Sequence, residues 1–191
     1  PAASEAIATY GPRAREAVVD VTGTMADPVR AMADAVDCQR ASLHPLFAPE
    51  HEPGNVPVVV DSEGPVVAAV LDALRARGNH VFETTPAEHD RAMETVQART
   101  HAAVLAFALA AEPVPEEFHT PVSADLADLA SQVTGGDAHV YADIQAAFDG
   151  AGDVADAASR LAEADPATFA TLYEEAGAVG GPRPSDEEDR T

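Results

Sequence analysis

The first 85 residues alternate short apolar runs with amphipathic stretches, and this alternation constrains the fold more than any other feature of the sequence. The apolar runs predict four strands, at residues 17–21, 41–46, 56–60 and 80–83. Apolar residues at helical spacing predict helices at residues 2–10, 25–36 and 65–78. Because parallel neighbouring strands need a helix-length connection, the pattern indicates an α/β fold with a parallel sheet covered by helices on both faces.

Strand patterns stop after Thr85. Thr85, Pro86 and Glu88 match a capping box with proline at the first helical position, which predicts a helix that runs to about residue 111. The residues predicted to form its buried stripe are His89, Met93, Val96, Thr100, Val104, Phe107 and Ala111. Further helices are predicted to begin near Thr120, Asp137, Asp153 and Asp165. The second half of the chain is therefore predicted to be all-helical.

These patterns divide the chain into three parts. Residues 1–85 are predicted to be the carboxyl-terminal part of a Rossmann-like nucleotide-binding domain, and residues 86–177 a helical domain. Residues 178–191 are rich in proline, glycine and acidic residues, and are predicted to be a disordered acidic tail. No G-x-G-x-x-G motif occurs. We expect the chain to be a fragment that lacks the first βαβ unit; the alternative is a fold that binds no nucleotide.

Charge and cysteine content exclude several classes of protein. Eleven basic residues against 33 acidic ones give a net charge of −22, which repels phosphate backbones and anionic headgroups, so we expect neither nucleic-acid nor membrane binding. The longest apolar run, residues 102–111, is too short to span a bilayer. A lone Cys38 and an amino terminus without a leader pattern predict a cytoplasmic location. No histidine has zinc-site spacing, so we expect no metal.

Every basic residue is arginine, and lysine is absent. Hydrated carboxylates keep a protein soluble in brine, so this composition predicts a halophilic protein; a GC-rich coding bias is the alternative. We expect the melting temperature to rise in molar KCl, because salt screens repulsion among the carboxylates. Thermal melts with and without molar salt test this expectation, and an unchanged melting temperature favours the coding bias.

His44, in the motif L-H-P-L-F, follows the second predicted strand. Ligands of open α/β sheets bind outside the carboxyl ends of the strands, so an imidazole there is placed for acid–base catalysis near neutral pH. The alternative is a strand-end histidine that hydrogen-bonds a loop carbonyl. The motif D-V-T-G-T follows the preceding strand at the same predicted edge, and its candidate residues are Asp20, Thr22, Gly23 and Thr24. The glycine would let a ligand approach the backbone, although an ordinary strand-to-helix turn has the same residues.

His89 and Asp90 fall in the first turn of the long predicted helix, whose positive dipole end favours an anionic ligand group. A capping carboxylate beside a packed histidine is the alternative. Gln97 and His101, four residues apart, share a helix face with Asp90. That face is a polar site if it is buried and a solvated surface if it is exposed.

Five stretches of the sequence together resemble the prephenate dehydrogenase family, most closely its versions from salt-loving archaea. They are DVTGTMADPV at residues 20–29, LHPLFAPE at 43–50, TTPAEHDRAMETVQARTH at 84–101, TPVSADLADLASQVTGGD at 120–137 and VYADIQ at 140–145. The resemblance implies a Rossmann domain followed by a helical domain that contributes to substrate binding and forms a homodimer. It also implies an NAD- or NADP-dependent oxidation of prephenate to 4-hydroxyphenylpyruvate with loss of carbon dioxide, in tyrosine biosynthesis, or similar chemistry on arogenate.

The resemblance also implies roles for individual residues. His44 matches the catalytic base that accepts the proton of the ring hydroxyl as hydride leaves for the nicotinamide, and a pKa near the ordinary value of about 6.5 would keep it neutral. His89 would line the substrate pocket from the helical domain. Asp20, Thr22 and Gly23 are expected to contact the cofactor.

The sequence departs from the family pattern in several places. The family's serine beside the catalytic histidine falls at Gly23, which leaves Thr22 or Thr24 to supply a hydroxyl to the substrate. The arginine that binds a substrate carboxylate in many members aligns with Gln132, and a neutral amide cannot replace a guanidinium. The other candidate sources of positive charge are Arg91, Arg99 and His119. Either one of these binds the carboxylate, or the ligand is a different acid; the alternative function is a non-catalytic, dimeric ligand-binding or regulatory protein.

Overall fold

The structure is a computed structural model and describes residues 2–179. Its contacts divide the described chain into two compact units, and the boundary along the sequence falls between Gly150 and Ala151. The boundary between an α/β and a helical domain near Thr85 stays a prediction. The disordered tail predicted for residues 178–191 lies, from residue 180 onwards, outside the described residues.

The first unit contains every described strand and the second contains two helices. The strands are β1 (Ala17–Asp20), β2 (Gln39–Leu43), β3 (Asn55–Ser62) and β4 (His80–Glu83). The helices of the first unit are α1 (Ala2–Tyr10), α2 (Ala26–Ala35), α3 (Pro65–Ala76), α4 (Pro86–Met93), α5 (Thr100–Ala110), α6 (Pro121–Thr134) and α7 (Ala138–Ala147). The second unit consists of α8 (Ala151–Glu163) and α9 (Pro166–Val179). The predicted fold class, a partial Rossmann-like sheet followed by helices, is confirmed.

The four strands form one sheet in the order β1-β2-β3-β4. β1 pairs with β2 in parallel and β3 with β4 in parallel, but β3 runs antiparallel to β2. The prediction of an entirely parallel sheet is therefore wrong at the β2–β3 pair. Residues 44–54 connect these strands with only a 3₁₀ turn at Pro49–His51, whereas a parallel crossover needs a dozen or more residues, usually as a helix.

The core of the sheet packs against α3. Its buried members are Ala41, Leu43, Val56, Val58, Val67 and Leu71. β2 and β3 supply the first four of these side chains, and the inward face of α3 supplies the last two. Because side chains alternate along a strand and recur every three to four residues along a helix, these positions converge on one apolar layer. This layer fixes the end of β2, where His44 lies.

The helix predicted to follow β4 begins as expected. Thr85 Oγ1 accepts a hydrogen bond from the Glu88 backbone N–H at 3.2 Å, and Glu88 Oε2 accepts one from the Thr85 N–H at 3.2 Å, which confirms the capping box. The hydrogen bonds from Thr85 lower the pKa of the Glu88 carboxyl. The cap fixes the first turn of α4 and with it the positions of His89 and Asp90.

The long helix contains a π-helical segment, Glu94–Arg99, between α4 and α5. A π turn contains more residues than an α turn, so every later side chain shifts around the helix axis. Gln97 and His101 are half-buried, whereas Val96 is 52% exposed and Thr100 is also exposed. The predicted buried stripe is therefore correct at His89, Met93 and Val104 but wrong at Val96, Thr100 and Ala111, which are exposed.

A second apolar cluster joins this helix to the rest of the first unit. Met93, Ala98 and Phe148 are buried in it, and Leu46 and Ile144 pack against them. Leu46 belongs to the loop after β2, so the cluster holds the π-helical segment next to the end of that strand. Among the described residues, no helix combines the length and apolar character needed to cross a membrane.

Candidate active site

His44 lies immediately after β2 at the carboxyl end of the strand, as predicted. Its backbone N–H donates to the Pro57 carbonyl at 3.1 Å, which continues the β2–β3 ladder by one residue. Its side chain is 9% exposed. The parallel pairing of β1 with β2 places Asp20, the last residue of β1, opposite Ser42 at this same edge.

The imidazole rings of His44 and His89 converge. His44 Nδ1 lies 2.9 Å from His89 Nε2, with the ring centroids 5.1 Å apart and the ring planes inclined by 67°. His89 Nδ1 lies 2.8 Å from Asp90 Oδ1, and His89 is 3% exposed. The two candidate histidines therefore belong to one buried hydrogen-bonded chain, the Asp90–His89–His44 relay.

Asp90 also connects α4 to α2. Its Oδ1 and Oδ2 accept hydrogen bonds from the backbone N–H groups of Met25 and Ala26, at 2.9 and 3.0 Å. These N–H groups lie at the amino terminus of α2, where no helical carbonyl is available to accept them. Burial alone would raise the pKa of the Asp90 carboxyl, but the hydrogen bonds from His89, Met25 and Ala26 outweigh it and lower that pKa.

The carboxylate at the Asp90 end of the relay determines which atom donates and which accepts in each hydrogen bond along it. A carboxylate can only accept hydrogen bonds, so Nδ1 of His89 carries a proton and donates it to Asp90. With one proton on each ring, Nε2 of His89 accepts from Nδ1–H of His44. Nε2 of His44 then has a free lone pair, and the Gln97 side-chain nitrogen lies 3.4 Å from it. The relay thus presents His44 Nε2 as a proton acceptor.

Burial, together with the neighbouring His89, lowers the pKa of His44 to about 4, and the charge of Asp90 opposes this shift only in part. The ordinary value assumed from the sequence is therefore too high for this site. At neutral pH the His44 ring is uncharged, as a general base must be.

We predict that the fold loses stability as the pH falls from 6.5 to about 4, because within this range the unfolded chain protonates His44 and the folded chain does not. Above pH 6.5 the stabilising contribution is fully present. The difference between the His44 pKa of 6.5 in the unfolded chain and about 4 in the folded chain corresponds to about 3 kcal/mol of the free energy of unfolding. Urea unfolding at several pH values, compared between the wild type and His44→Asn, isolates the contribution. Identical pH dependence in the two proteins contradicts the prediction.

The D-V-T-G-T turn forms the other side of the site. Asp20 is buried and accepts hydrogen bonds from Ser42 Oγ at 2.8 Å and from Thr22 Oγ1 at 3.0 Å. The Thr22 hydroxyl is thus bonded within the turn. Gly23 faces the reactive edge of His44, since a Cβ at Gly23 would lie 3.7 Å from His44 Nε2. Ser42 was not predicted; the signal for it was its position two residues before His44, on the same face of β2.

The two other candidate substrate-binding residues, Thr24 and Gln132, make no side-chain contact with the relay that the structure records. Thr24 contributes its backbone carbonyl, which accepts from Thr22 Oγ1 at 3.3 Å. Gln132 is exposed on α6, and no hydrogen bond of the described chain joins it to His44 or His89. A substrate-binding role for Thr22, Thr24 and Gln132 stays a prediction. Among the described residues, no group of three or more histidine, cysteine or acidic side chains is arranged to hold a metal ion.

The fold and the site together define an α/β protein with a proton-accepting imidazole at the carboxyl end of its sheet and an open glycine turn beside it. A curated 4-amino-4-deoxyprephenate dehydrogenase from Streptomyces pristinaespiralis is 33% identical to the chain over 159 residues. The match covers 75% of the chain and 54% of that protein, so the chain spans about half the length of the relative. No family model matches the chain.

Solved structures similar to this one include two dehydrogenases. The prephenate dehydrogenase from Aquifex aeolicus superposes with a TM-score of 0.63 at 15% identity, over 93% of the chain and 72% of that structure. The Synechocystis arogenate dehydrogenase gives a TM-score of 0.49 at 16% identity, over 94% of the chain and 73% of that structure. The Aquifex aeolicus match supports the fold. On the sequence match, the chain is a homologue of the Streptomyces pristinaespiralis protein over the part that the match covers.

Proposed function

We propose that the protein is an NAD(P)-dependent dehydrogenase that oxidises prephenate or a close analogue with loss of carbon dioxide. The observation that carries this proposal is the Asp90–His89–His44 relay, which holds His44 Nε2 unprotonated at the end of the sheet. The homologue from Streptomyces pristinaespiralis is named for a 4-amino analogue of prephenate. Prephenate, arogenate and the 4-amino analogue are thus the candidate substrates.

The chain's residues supply the proton chemistry of this reaction. His44 Nε2 accepts a proton from the hetero atom on ring carbon 4 as hydride leaves that carbon. Charge on the His44 ring is then stabilised through His89 by the Asp90 carboxylate, which stays ionised because its pKa is lowered. Loss of the ring carboxylate as carbon dioxide completes the aromatic ring, and the hetero atom takes its proton back from His44. For prephenate the product is 4-hydroxyphenylpyruvate.

The turn at the end of β1 leaves backbone uncovered beside the site. Gly23 has no side chain, and a Cβ there would lie in ordinary contact with His44 Nε2 at 3.7 Å, so a ligand that lies beside this edge can approach the backbone of the turn closely. A nicotinamide held there would accept the hydride. Gly23 would contact the ring, and Asp20 and Thr22 would hold the turn rigid through the hydrogen bonds they share. We propose these residues as the cofactor contacts, with either NAD or NADP.

Reduction of NAD+ and NADP+ by the full-length protein tests the function, with prephenate, arogenate and 4-amino-4-deoxyprephenate as substrates and molar KCl in the buffer. We expect nicotinamide reduction with at least one substrate and release of carbon dioxide in equal amount. Absence of reduction with all three substrates and both cofactors contradicts the proposal.

A second candidate function is a non-catalytic ligand-binding or regulatory protein. The observation that favours it is the neutral, exposed Gln132 at the position expected for an arginine. Substrate binding without nicotinamide reduction supports this alternative. Replacing Gln132 with arginine tests the position itself: substrate affinity increases in the variant if this position faces the substrate carboxylate, and unchanged affinity places the carboxylate elsewhere.

We further propose a homodimer formed through the helical region. α5 is apolar along most of its length, yet Val104 is its one buried residue among those described. Leu109 is 88% exposed on α5, and Val122 is 76% exposed on the neighbouring α6. Exposed apolar groups that lie close together mark association surfaces. We expect Leu109→Glu to shift the protein from dimer to monomer in analytical ultracentrifugation, and a monomeric wild type contradicts this proposal.

A further inference from the structure

The side-chain amide of Gln97 lies at the reactive edge of His44, with its nitrogen 3.4 Å from His44 Nε2. The relay leaves this Nε2 as an acceptor, so the amide turns its donor nitrogen, and not its oxygen, towards it. A separation of 3.4 Å is long for a direct hydrogen bond. An oxygen atom can instead lie about 2.9 Å from both nitrogens, so one ligand atom can bond to His44 and Gln97 at the same time.

The hydroxyl groups at the same edge of the sheet are already engaged as donors. Thr22 Oγ1 donates to Asp20 at 3.0 Å, and Ser42 Oγ donates to the same carboxylate at 2.8 Å. Gly23, the residue next to the reactive nitrogen, has no side chain. Within the described chain, Gln97 therefore supplies the side-chain donor that the structure records at this nitrogen.

The π-helical segment brings Gln97 to this position, and packing holds the segment in place. Ala98 is fully buried against Phe148, and its carbonyl accepts a hydrogen bond from Gln145 Nε2 at 2.9 Å. A Cβ at Gly150 would lie only 2.8 Å from the Ala98 Cβ, so the backbone there packs closely against the segment. π turns are rare in helices and occur frequently at functional sites. The backbone that carries Gln97 is therefore fixed before a ligand binds.

The oxygen end of the same amide makes no bond that stabilises the fold. Gln97 Oε1 is buried and has no hydrogen-bond partner within the described residues. An acceptor buried without a donor costs free energy, so an apolar side chain of the same length would be more favourable for folding. A side chain with this cost is typical of a residue that serves function rather than stability.

We propose that Gln97 is a catalytic residue whose Nε2 donates a hydrogen bond to the oxygen on the reacting ring carbon. The hydroxyl at that carbon donates its proton to His44 Nε2, and its oxygen keeps a lone pair that accepts from Gln97. The observed orientation of the amide serves this contact without rearrangement. The inference rests on the proposed dehydrogenase function and applies to prephenate and arogenate, which both have the hydroxyl.

The hydrogen bond from Gln97 is strongest while the proton moves. Hydride leaves the ring carbon for the nicotinamide, the hydroxyl proton passes to His44 Nε2, and the electron pair of the broken O–H bond completes a C=O bond. Negative charge develops on the oxygen during this step. A positioned N–H donor stabilises that charge more than it stabilises the neutral hydroxyl, so it lowers the barrier. When carbon dioxide leaves, its C–C electron pair aromatises the ring, and the oxygen takes its proton back from His44.

Kinetics of two substitutions in the full-length protein test the inference, with prephenate and arogenate as substrates. Gln97→Met keeps the side-chain length but has no donor, and Gln97→Glu keeps the shape but is an acceptor. We expect kcat to fall by about 10²- to 10³-fold in both, the loss that follows removal of one such donor, with a smaller change in KM. Val96→Ala, at the exposed neighbouring position, is the control and should keep the wild-type kcat.

Two further measurements distinguish this contact from a structural role. Gln97→Met should unfold at a urea concentration at least as high as the wild type, because it buries no acceptor without a partner. In calorimetry, the wild type should bind 4-hydroxyphenylpyruvate about tenfold or more tightly than phenylpyruvate, which has no ring hydroxyl. This affinity ratio should fall by about fivefold in Gln97→Met, the equivalent of one hydrogen bond, and stay the same in Val96→Ala.

The outcomes separate the inference from the function on which it rests. If the wild type oxidises prephenate or arogenate, a kcat within tenfold of the wild type in Gln97→Met, or a loss of kcat only in variants that no longer fold, overturns the inference and leaves the dehydrogenase function standing. Wild-type oxidation of the 4-amino analogue alone has the same consequence. If the wild type oxidises no candidate substrate, the function fails and the affinity ratio decides. A ratio that falls in Gln97→Met then supports the contact, and an unchanged ratio or no binding of either ligand overturns it.

Discussion

Replacement of His44 with asparagine is expected to lower kcat by about 10²- to 10⁴-fold, the range that a positioned general base contributes. The asparagine amide nitrogen can take the place of Nδ1 and donate to His89 Nε2, so the relay and the fold are retained. Nothing in the variant takes the place of Nε2, so the proton of the substrate has no acceptor. Steady-state kinetics with saturating substrate measure the effect, and circular dichroism confirms the fold.

A matched control is His51→Asn, which changes an exposed histidine in the 3₁₀ turn of the same loop. This variant should keep the wild-type kcat. Substrate affinity should change little in His44→Asn, because His44 acts on the reacting group while most of the substrate contacts other residues. A kcat within tenfold of the wild type in His44→Asn removes this residue from the mechanism.

Asp90→Asn is expected to have an effect of similar size, because it removes the carboxylate charge at the end of the relay. An asparagine oxygen in the place of Oδ1 still accepts from His89 Nδ1 and from the Met25 N–H, but a neutral amide no longer stabilises the charge that the relay takes up with the substrate proton. An amide turned the other way donates to His89 Nδ1 and reverses the relay. Both orientations weaken His44 Nε2 as a proton acceptor, and we expect kcat to fall by about 10²- to 10⁴-fold although His44 itself is unchanged.

The same substitution removes charge-assisted hydrogen bonds at the start of α2, at a cost of about 1–3 kcal/mol in the free energy of unfolding. Urea unfolding measures that cost separately from kcat. Asp27→Asn, an exposed carboxylate in the first turn of α2, is the matched control and should be close to wild type in both measurements. A stable Asp90→Asn protein with wild-type kcat contradicts a role for the Asp90 carboxylate and its relay in catalysis.

Local sequence signals located most of the fold. The strand at His80–Glu83 and the capped start of α4 at Thr85 have the predicted bounds, because short apolar runs and capping boxes act within a few residues. The antiparallel β2–β3 pair was missed, although the sequence contains the reason. Residues 44–54 have no helix pattern, so they could not form a parallel crossover.

The site was predictable in its parts but not in its connections. Motif position identified His44 and His89, and the parallel β1–β2 pair brought Asp20 to the same edge. The 2.9 Å contact between the two histidine rings depends on α4 returning to the end of β2, which is a tertiary property. The π-helical segment also escaped prediction, because a shift of one residue in a helix leaves no local pattern. That shift turns Gln97, rather than Val96, towards His44.

The central claim is that the Asp90–His89–His44 relay leaves Nε2 of His44 without a proton and facing the substrate. Long-range ¹H–¹⁵N NMR spectra of the histidine rings report directly which nitrogen carries the proton. The relay predicts that both rings carry it on Nδ1 at neutral pH, and that the His44 ring keeps this form until the pH approaches about 4. A proton on His44 Nε2 at neutral pH, or titration of this ring at its ordinary pKa, contradicts the claim.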